Sequence, residues 1–421
     1  MSGETIAARD CCFSPSDELM PVDEAMARIK DSLSIAVGTE NAPLAEALDR
    51  VLAEDLVAPM SVPPHDNSAV AGYAVHFDDL SRNGETRLPV TARIAAGHPL
   101  DRAAVRGESL RIFTGAPMPD GADTVIMQED TEADGDHVII RPGVKKGANR
   151  RRAGEDVTEG ATILRRGIRL RAQELGLAAS VGCSTLSVRR QLRTAVFSTG
   201  DEVRDPGATL PPGGIFDSNR YTVMSLLRGL GCAVTDLGIL PDNLDTIRNA
   251  IDAAADDHDL IITSGGVSLG EEDHVKAAVE ALGALTFWRL AIKPGRPIAL
   301  GQVRNVPFIG LPGNPVAAMV TFMCIGRPVV LRLAGRNDDD PATFRVPAGF
   351  SFDKKAGRRE WVRARLERTP EGPQVMKFRS EGSGILSSMV ESDGLVVLSE
   401  GTEAVREGDL VDFLPFREVT R

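Results

Sequence analysis

Apolar positions along the chain change period from segment to segment, and each period predicts a kind of element. From Met20 to Leu33, Val22, Met26, Ile29 and Leu33 recur at helical spacing with Asp23 and Glu24 in the first turn, which predicts an amphipathic helix. Leu44 to Val57 mixes a short helical pattern with the strand-like LAEDLVAP and runs into Pro63-Pro64, which forces an extended chain. Residues 65–155 read as all-β: runs such as LPVTARIAAG, ESLRIFTGA, DTVIMQED and HVIIRPG alternate in period two between Gly, Pro and Asp, as in a small barrel or sandwich. From Glu155 to Ser187 mixed short elements and a helix return, rejoining the N-terminal segment.

Between Leu192 and Gly335 apolar runs of strand length alternate with helical patterns. Strands are expected at Thr194–Ser198, Ala233–Leu240, Leu260–Thr263 and Pro307–Leu311. Helices are expected after the Asp217-Ser218 cap, over Leu244–Ala255 and Asp273–Leu282, and from Pro315, where Asn314 caps and proline takes the first helical position. Such alternation makes a mostly parallel sheet covered on both faces. Beyond residues 338–341 the runs WVRARLER, QVMKF, GLVVLSEG and DLVDFLPF predict a second small β domain. The divisions expected are 18–62 with 156–190, 63–155, 191–337 and 338–421.

In the alternating region, strand after strand ends in a glycine-rich, charged loop: TSGGVSLGEED from Thr263, IKPGRP from Ile292 and GLPGNP from Gly310. Open α/β sheets bind ligands at the carboxyl ends of their strands, so these loops predict an active site for an anion. Ser264, Gly265, Gly266 and Ser268 follow a buried strand and precede a helix, where backbone N–H groups and the helix terminus favour phosphate. No Walker lysine follows. Asp201, Glu202, Asp242, Glu271, Glu272 and Asp273 crowd the same edge; helix capping explains some of them, and hard oxygen ligands there also suit Mg²⁺. Arg289, Lys293 and Arg296 oppose them around the KPG turn, with cations suited to an oxyanion. The six histidines are scattered, and His65 and His274 read as loop residues rather than as a general base.

Composition narrows the class. The chain has 421 residues, enough for several cores, with 42% apolar and 26% charged residues. No apolar run approaches the roughly 20 residues of a membrane span, and MSGETIAARDCCFSPSDE has no secretory pattern. Five cysteines without a C-x-x-C pair argue against a disulfide framework or a zinc site, the adjacent Cys11 and Cys12 included, and point to a reducing cytoplasm. A net charge of −12 argues against nucleic acid as a partner. The basic run Lys145, Lys146, Arg150, Arg151 and Arg152 then reads either as a solvated face or as a local contact surface.

HDNSAVAGYAV from His65, IFTGAPMPDGADTVIMQED from Ile112, RRRAGED from Arg150, FSTGDE from Phe197, the SGGVSLGEED loop, FWRLAIKPGRP from Phe287 and GLPGNP together resemble the MoeA family of molybdopterin molybdenumtransferases, related to the E domain of gephyrin. The resemblance runs from about residue 20 to the C-terminus. It implies a multidomain α/β plus β protein: a split N-terminal linker domain, an inserted β domain, a central three-layer α/β domain similar to the MogA adenylyltransferase, and a C-terminal β-barrel-like domain. The implied reaction inserts molybdate into adenylylated molybdopterin with release of AMP, giving molybdenum cofactor in a Mg²⁺-dependent step. The implied assembly is a homodimer whose inserted domain serves the partner's pocket, with a MogA-type adenylyltransferase as a further partner.

Carried over position by position, the resemblance makes Glu202, Asp242 and Asp273 the acidic and metal-binding residues and Lys293 and Arg289 the basic pair. Ser268 falls beside the pyrophosphate. Thr114 and Arg151 serve across the dimer, Pro312 and Pro315 line the third loop, and Arg358, Arg363, Ser383 and Ser387 are candidates for the molybdate pocket. The family pattern usually carries Met and Asp where this chain has Val70 and Ala71, and lysine where it has Arg289. Two other classes compete: a non-catalytic scaffold or cofactor-binding module, favoured by Ala71, and a nucleotide-cleaving enzyme, which would not need the flanking β domains.

Overall fold

A computed structural model describes residues 19–266, 274–295, 297–337 and 340–420. Its centre is a six-stranded sheet built from β1 (Arg193–Thr199), β2 (Ala233–Leu240), β3 (Leu260–Ser264), β4 (Gly283–Arg289), β5 (Pro297–Val303) and β6 (Val306–Leu311), in the order β2-β1-β3-β6-β5-β4. The first four in that order are parallel. The β4–β5 hairpin adds an antiparallel edge that the apolar pattern alone did not bring out.

Both faces of this sheet are covered, which explains why the inner strands β3 and β6 are almost continuously apolar, while the edge strand β2 stays partly exposed and carries Thr235 and Asp236. Val196 of β1, Leu260 and Ile262 of β3 and Ile309 and Leu311 of β6 enter a core that also holds helix α1 (Asn219–Gly229). The helical run Pro315–Leu333 packs into the same core. The alternate residues Ala195, Phe197, Ile261 and Phe308 face α2 (Leu244–Asp257) and α3 (His274–Leu282) in a second core. Truncating the fully buried Phe197 to alanine would cost about 3–5 kcal/mol.

Pro315–Leu333 is long and apolar enough to cross a membrane, which the expectation from apolar runs overlooked. Seventy-eight per cent of that window is buried within the fold, so its apolarity serves the core.

The flanking parts are smaller. The helix Val22–Ser32 places Val22, Ala25 and Ile29 in the first central core. Thr39–Pro43 pairs with Thr185–Arg189, and Leu56–Val57 with Thr162–Leu164, so segments before and after the inserted region share a core around Leu52, Leu170 and Val188. The inserted region forms a six-stranded sheet in the order Thr124–Met127, Gly72–Val75, Ser109–Ile112, Thr86–Ile94, His137–Ile140, Thr131–Asp134. Gly72 is obligatory there: a Cβ would fall 1.8 Å from the Ile126 carbonyl oxygen. At the C-terminus, Arg359–Thr369, Gly394–Leu398, Leu410–Pro415 and Phe344–Pro347 form a sheet joined at one end by Ile292–Lys293 of the central region. The C-terminal sheet is therefore stitched to the KPG turn by backbone hydrogen bonds.

Candidate active site

The register of the parallel strands aligns their carboxyl ends: Leu240 lies opposite Thr199, Ser198 opposite Ser264, and Ser264 opposite Leu311. Four loops therefore emerge side by side, at Pro241–Asn243, Gly200–Glu202, Gly265 onward, and Pro312–Asn314. β1 feeds α1 on one face of the sheet and β3 leads to α3 on the other. The chain parts between β1 and β3, and this is where an open sheet leaves a crevice.

Gly265 and Gly266 adopt φ of +88° and +63°. A Cβ on Gly266 would sit 2.6 Å from Thr199 Oγ1, so only glycine lets this loop close against β1. The Gly265 N–H donates to Leu311 O at 3.2 Å and serves the sheet edge, whereas the Gly266 N–H has no acceptor among the described residues. Ser264, 5% exposed, is committed as well: its Oγ donates to Pro312 O at 3.2 Å and accepts from Asn219 Nδ2 at 2.8 Å. Asn219 also donates to Gly313 O at 2.7 Å.

Glu202 and Asp242 stand exposed beyond the ends of neighbouring strands, and among the described residues neither has a cationic partner. The Glu202 carboxylate folds back over Gly200, where a Cβ would meet its Oε2 at 2.7 Å. The nearby Asp205, Asp217 and Asp236 are engaged differently: all three surround the buried Arg220 guanidinium, with Asp217 Oδ2 at 3.0 Å from Nε. Burial opposes the charge on Arg220, but hydrogen bonds to Asp236 and Asp217 outweigh it and raise its pKa. Asp217 Oδ1 also accepts the Arg220 N–H at 3.1 Å, so the expected cap is made by Asp217 rather than by the Ser218 hydroxyl.

On the other side of Pro312 lies the KPG turn. A Cβ on Gly295 would meet Thr321 Oγ1 at 2.8 Å and Pro312 Cγ at 3.4 Å, which locates the turn against the third loop and its helix. Lys293 Nζ lies 2.7 Å from Glu381 Oε2 and 3.3 Å from the buried Glu360 Oε2. Burial alone would lower the ammonium pKa; the hydrogen bond to Glu381 and the charge of Glu360 raise it instead. Arg363, 5% exposed, donates from Nη2 to Ser380 O at 2.7 Å and from Nη1 to Gly382 O at 3.3 Å, and its buried Nε has no partner among the described residues. The segment so held reaches Ser383, whose carbonyl accepts the Val316 N–H at 3.0 Å, one residue after Pro315. A cavity of about 20 Å³, room for a water molecule, is lined there by Lys293, Glu360, Arg363, Lys377 and Glu381.

The structure thus brings together Ser264, Gly265, Gly266, Pro312 and Pro315, and joins to them Lys293, Arg363 and Ser383. Arg358 is half-buried and Ser387 exposed at the start of a short helix. Thr114 and Arg151 are exposed on the inserted region, where Arg151 pairs with Asn67, and no described hydrogen bond or ion pair ties either to the central sheet. Ser268, Asp273 and Arg296 lie outside the described residues, as do Glu271, Glu272, Cys11, Cys12 and the Arg289 side chain. Among the described residues no group of three His, Cys, Asp or Glu side chains gathers as a metal site. Sequence reasoning passed over Asn219, Glu360 and Glu381. The first stood next to a recognised cap; the other two carry no local signal.

Comparison with known proteins adds an independent line. Residues 20–182 match the MoeA N-terminal region (domains I and II), 195–332 a probable molybdopterin binding domain, and 345–416 the MoeA C-terminal region (domain IV). A molybdopterin molybdenumtransferase of Haemophilus influenzae is 39% identical over 95% of this chain and 100% of its own. Molybdopterin molybdenumtransferase 2 of Mycobacterium tuberculosis is 35% identical over 87% and 92%. Among solved structures, a molybdopterin biosynthesis MoeA protein of Pyrococcus horikoshii superposes with a TM-score of 0.82 at 27% identity, covering 94% of this chain and 100% of that one.

Proposed function

The chain belongs to the MoeA family of molybdopterin molybdenumtransferases, and on that premise we propose how its carboxyl-edge crevice carries out the family's reaction. The protein is a transferase of molybdenum cofactor biosynthesis, and its substrate is a molybdopterin. In our reading, adenylylated molybdopterin lies across the crevice with its pyrophosphate over Gly266 and the start of the third loop. Molybdate enters from the side of Lys293, Arg363 and Ser383, and AMP departs. The observation that carries this is the convergence of the SGG and PGN loops, held together by Asn219, beside a cationic seam running to the C-terminal sheet.

Preorganised donors aimed at developing charge act strongly in a site that excludes water. Lys293, held protonated by Glu360 and Glu381, lines the seam with Lys377 and Arg363, and these three cations exceed the two carboxylates by one positive charge. The Nε of Arg363 is a buried donor with no acceptor among the described residues, and a tetrahedral oxyanion would satisfy it. Glu202 and Asp242 are hard oxygen donors without cationic partners, so their chemistry fits Mg²⁺; Asp273 would be the third ligand. Bound there, Mg²⁺ would neutralise phosphate charge.

Homodimerisation would bring Thr114 and Arg151 of the partner's inserted region to this pocket and would give the exposed Arg151 and Arg152 a use, while Arg150 is half-buried and paired with Asp66. A MogA-type adenylyltransferase would supply the substrate, in the cytoplasm. The relatives reported above are named as transferases, and apart from Ala71 no observation favours a scaffold role.

The test is to incubate the purified protein with adenylylated molybdopterin, Mg²⁺ and molybdate, and to measure AMP release and cofactor formation, with Ala71→Asp in parallel. Turnover by the wild type supports the reading; turnover by Ala71→Asp alone would show that this chain binds the substrate without converting it.

A further inference from the structure

We propose that Asn219 is a positioning residue that sets the spacing between the two glycine loops gripping the pyrophosphate; this rests on the reading of that crevice given above. Asn219 opens α1, and the next residue immobilises the helix start. Arg220, its side chain 3% exposed, is tied to Asp217 at 3.0 Å and paired with Asp205 and Asp236, the last of these on β2. Successive helical side chains point about 100° apart, so while Arg220 turns into its carboxylates, Asn219 projects over the strand ends.

There its carboxamide uses both N–H directions. One bond runs 2.8 Å to Ser264 Oγ at the end of β3, the other 2.7 Å to Gly313 O beyond β6. Ser264 has a single hydroxyl proton and gives it to Pro312 O, so the serine must accept from Asn219. The result is one relay that ties the SGG loop to the PGN loop. The loops touch: a Cβ on Gly313 would lie 3.9 Å from Gly265 Cα. Neither loop could drift without breaking a bond to a post that the Arg220 cluster holds still. Asparagine is required chemically, because an aspartate of the same size would present oxygen to the Gly313 carbonyl and add a negative charge beside a phosphate site.

The test uses Asn219→Ala, Asn219→Asp, Ser264→Ala and the double variant Asn219→Ala/Ser264→Ala in the full chain. If Asn219 positions the loops, Asn219→Ala raises the KM for adenylylated molybdopterin about tenfold while kcat changes less than about threefold, and Asn219→Asp raises KM further. The double variant loses less than the product of the two single-variant losses, since the residues share the Asn219–Ser264 bond. Asn219→Asp with a wild-type KM, or single-variant losses that multiply in the double variant, would overturn the role. A second readout does not need turnover: amide hydrogen exchange at Gly265, whose N–H crosses the same seam to Leu311 O, should accelerate about tenfold in Asn219→Ala. Unchanged exchange overturns the proposal even if the wild type releases no AMP, a result that by itself would count only against the proposed function.

Discussion

Lys293 Nζ donates to Glu381 Oε2 at 2.7 Å, across 88 residues of sequence, and so closes the seam between the central sheet and the C-terminal sheet. The same ammonium lies against Glu360, whose side chain is 4% exposed. Removing Lys293 therefore strips a buried carboxylate of its counter-charge.

Lys293→Ala should lower stability by about 1–3 kcal/mol, a range reduced for the partial exposure of the lysine, and should cut AMP release more than tenfold through lost binding of the anion. The pH profile of unfolding tests the assignment. Lys293 titrates above the usual 10.5, so its contribution is complete below that pH and disappears as pH climbs through the raised folded value. Glu381 titrates below the usual 4.5, through its hydrogen bond to Lys293, so its contribution is complete above 4.5 and disappears as pH falls through the lowered folded value. The variant should lose the alkaline limb and show a weaker acid one; an unchanged profile would count against the seam.

Gly266→Ala should raise KM at least about tenfold and cost about 1–3 kcal/mol of stability. The added methyl would meet Thr199 Oγ1 at 2.6 Å and Val275 Cγ2 at 2.8 Å on a backbone already at φ +63°. A variant that binds and melts like the wild type would remove this loop from the site.

Glu202→Gln and Asp242→Asn should each raise the Mg²⁺ concentration for half-maximal AMP release about tenfold, because each replaces a charged oxygen donor with a neutral one. If Mg²⁺ dependence is unaltered in both, the cation binds elsewhere.

In the inserted region, hydrogen bonds from Arg102, with help from Thr91 and the Val105 N–H, hold the buried Glu108 carboxyl down at about 2. Its contribution to stability is complete above the usual 4.5 and is lost as pH falls through about 2. Glu108→Gln should cost about 1–3 kcal/mol at neutral pH and should flatten that acid limb in chemical denaturation. Loss of stability confined to alkaline pH would contradict the assignment.

Much of the central sheet is legible in the sequence. β1, β3 and β6 were readable because a strand covered on both faces is mostly apolar, whereas the edge strand β2, which carries Thr235 and Asp236, was readable from the Gly231 and PDN turn signals that bound it, and it falls on its expected bounds Ala233–Leu240. The glycine loops were readable because positive φ and close approach demand glycine locally. The β4–β5 hairpin was not, since its residues carry no distinctive period.

Local chemistry in the sequence by itself determined the order of elements, the loops facing one sheet edge and the family resemblance, because periodicity, caps and glycine requirements each act within a few residues. Only the tertiary structure decided that Glu360 and Glu381 hold Lys293, that Ser264 and Gly265 bond to Pro312 and Leu311, and that Asn219 joins two loops. Those contacts link positions tens of residues apart, and a side chain's hydrogen-bond partner depends on which backbone the fold brings within about 3 Å.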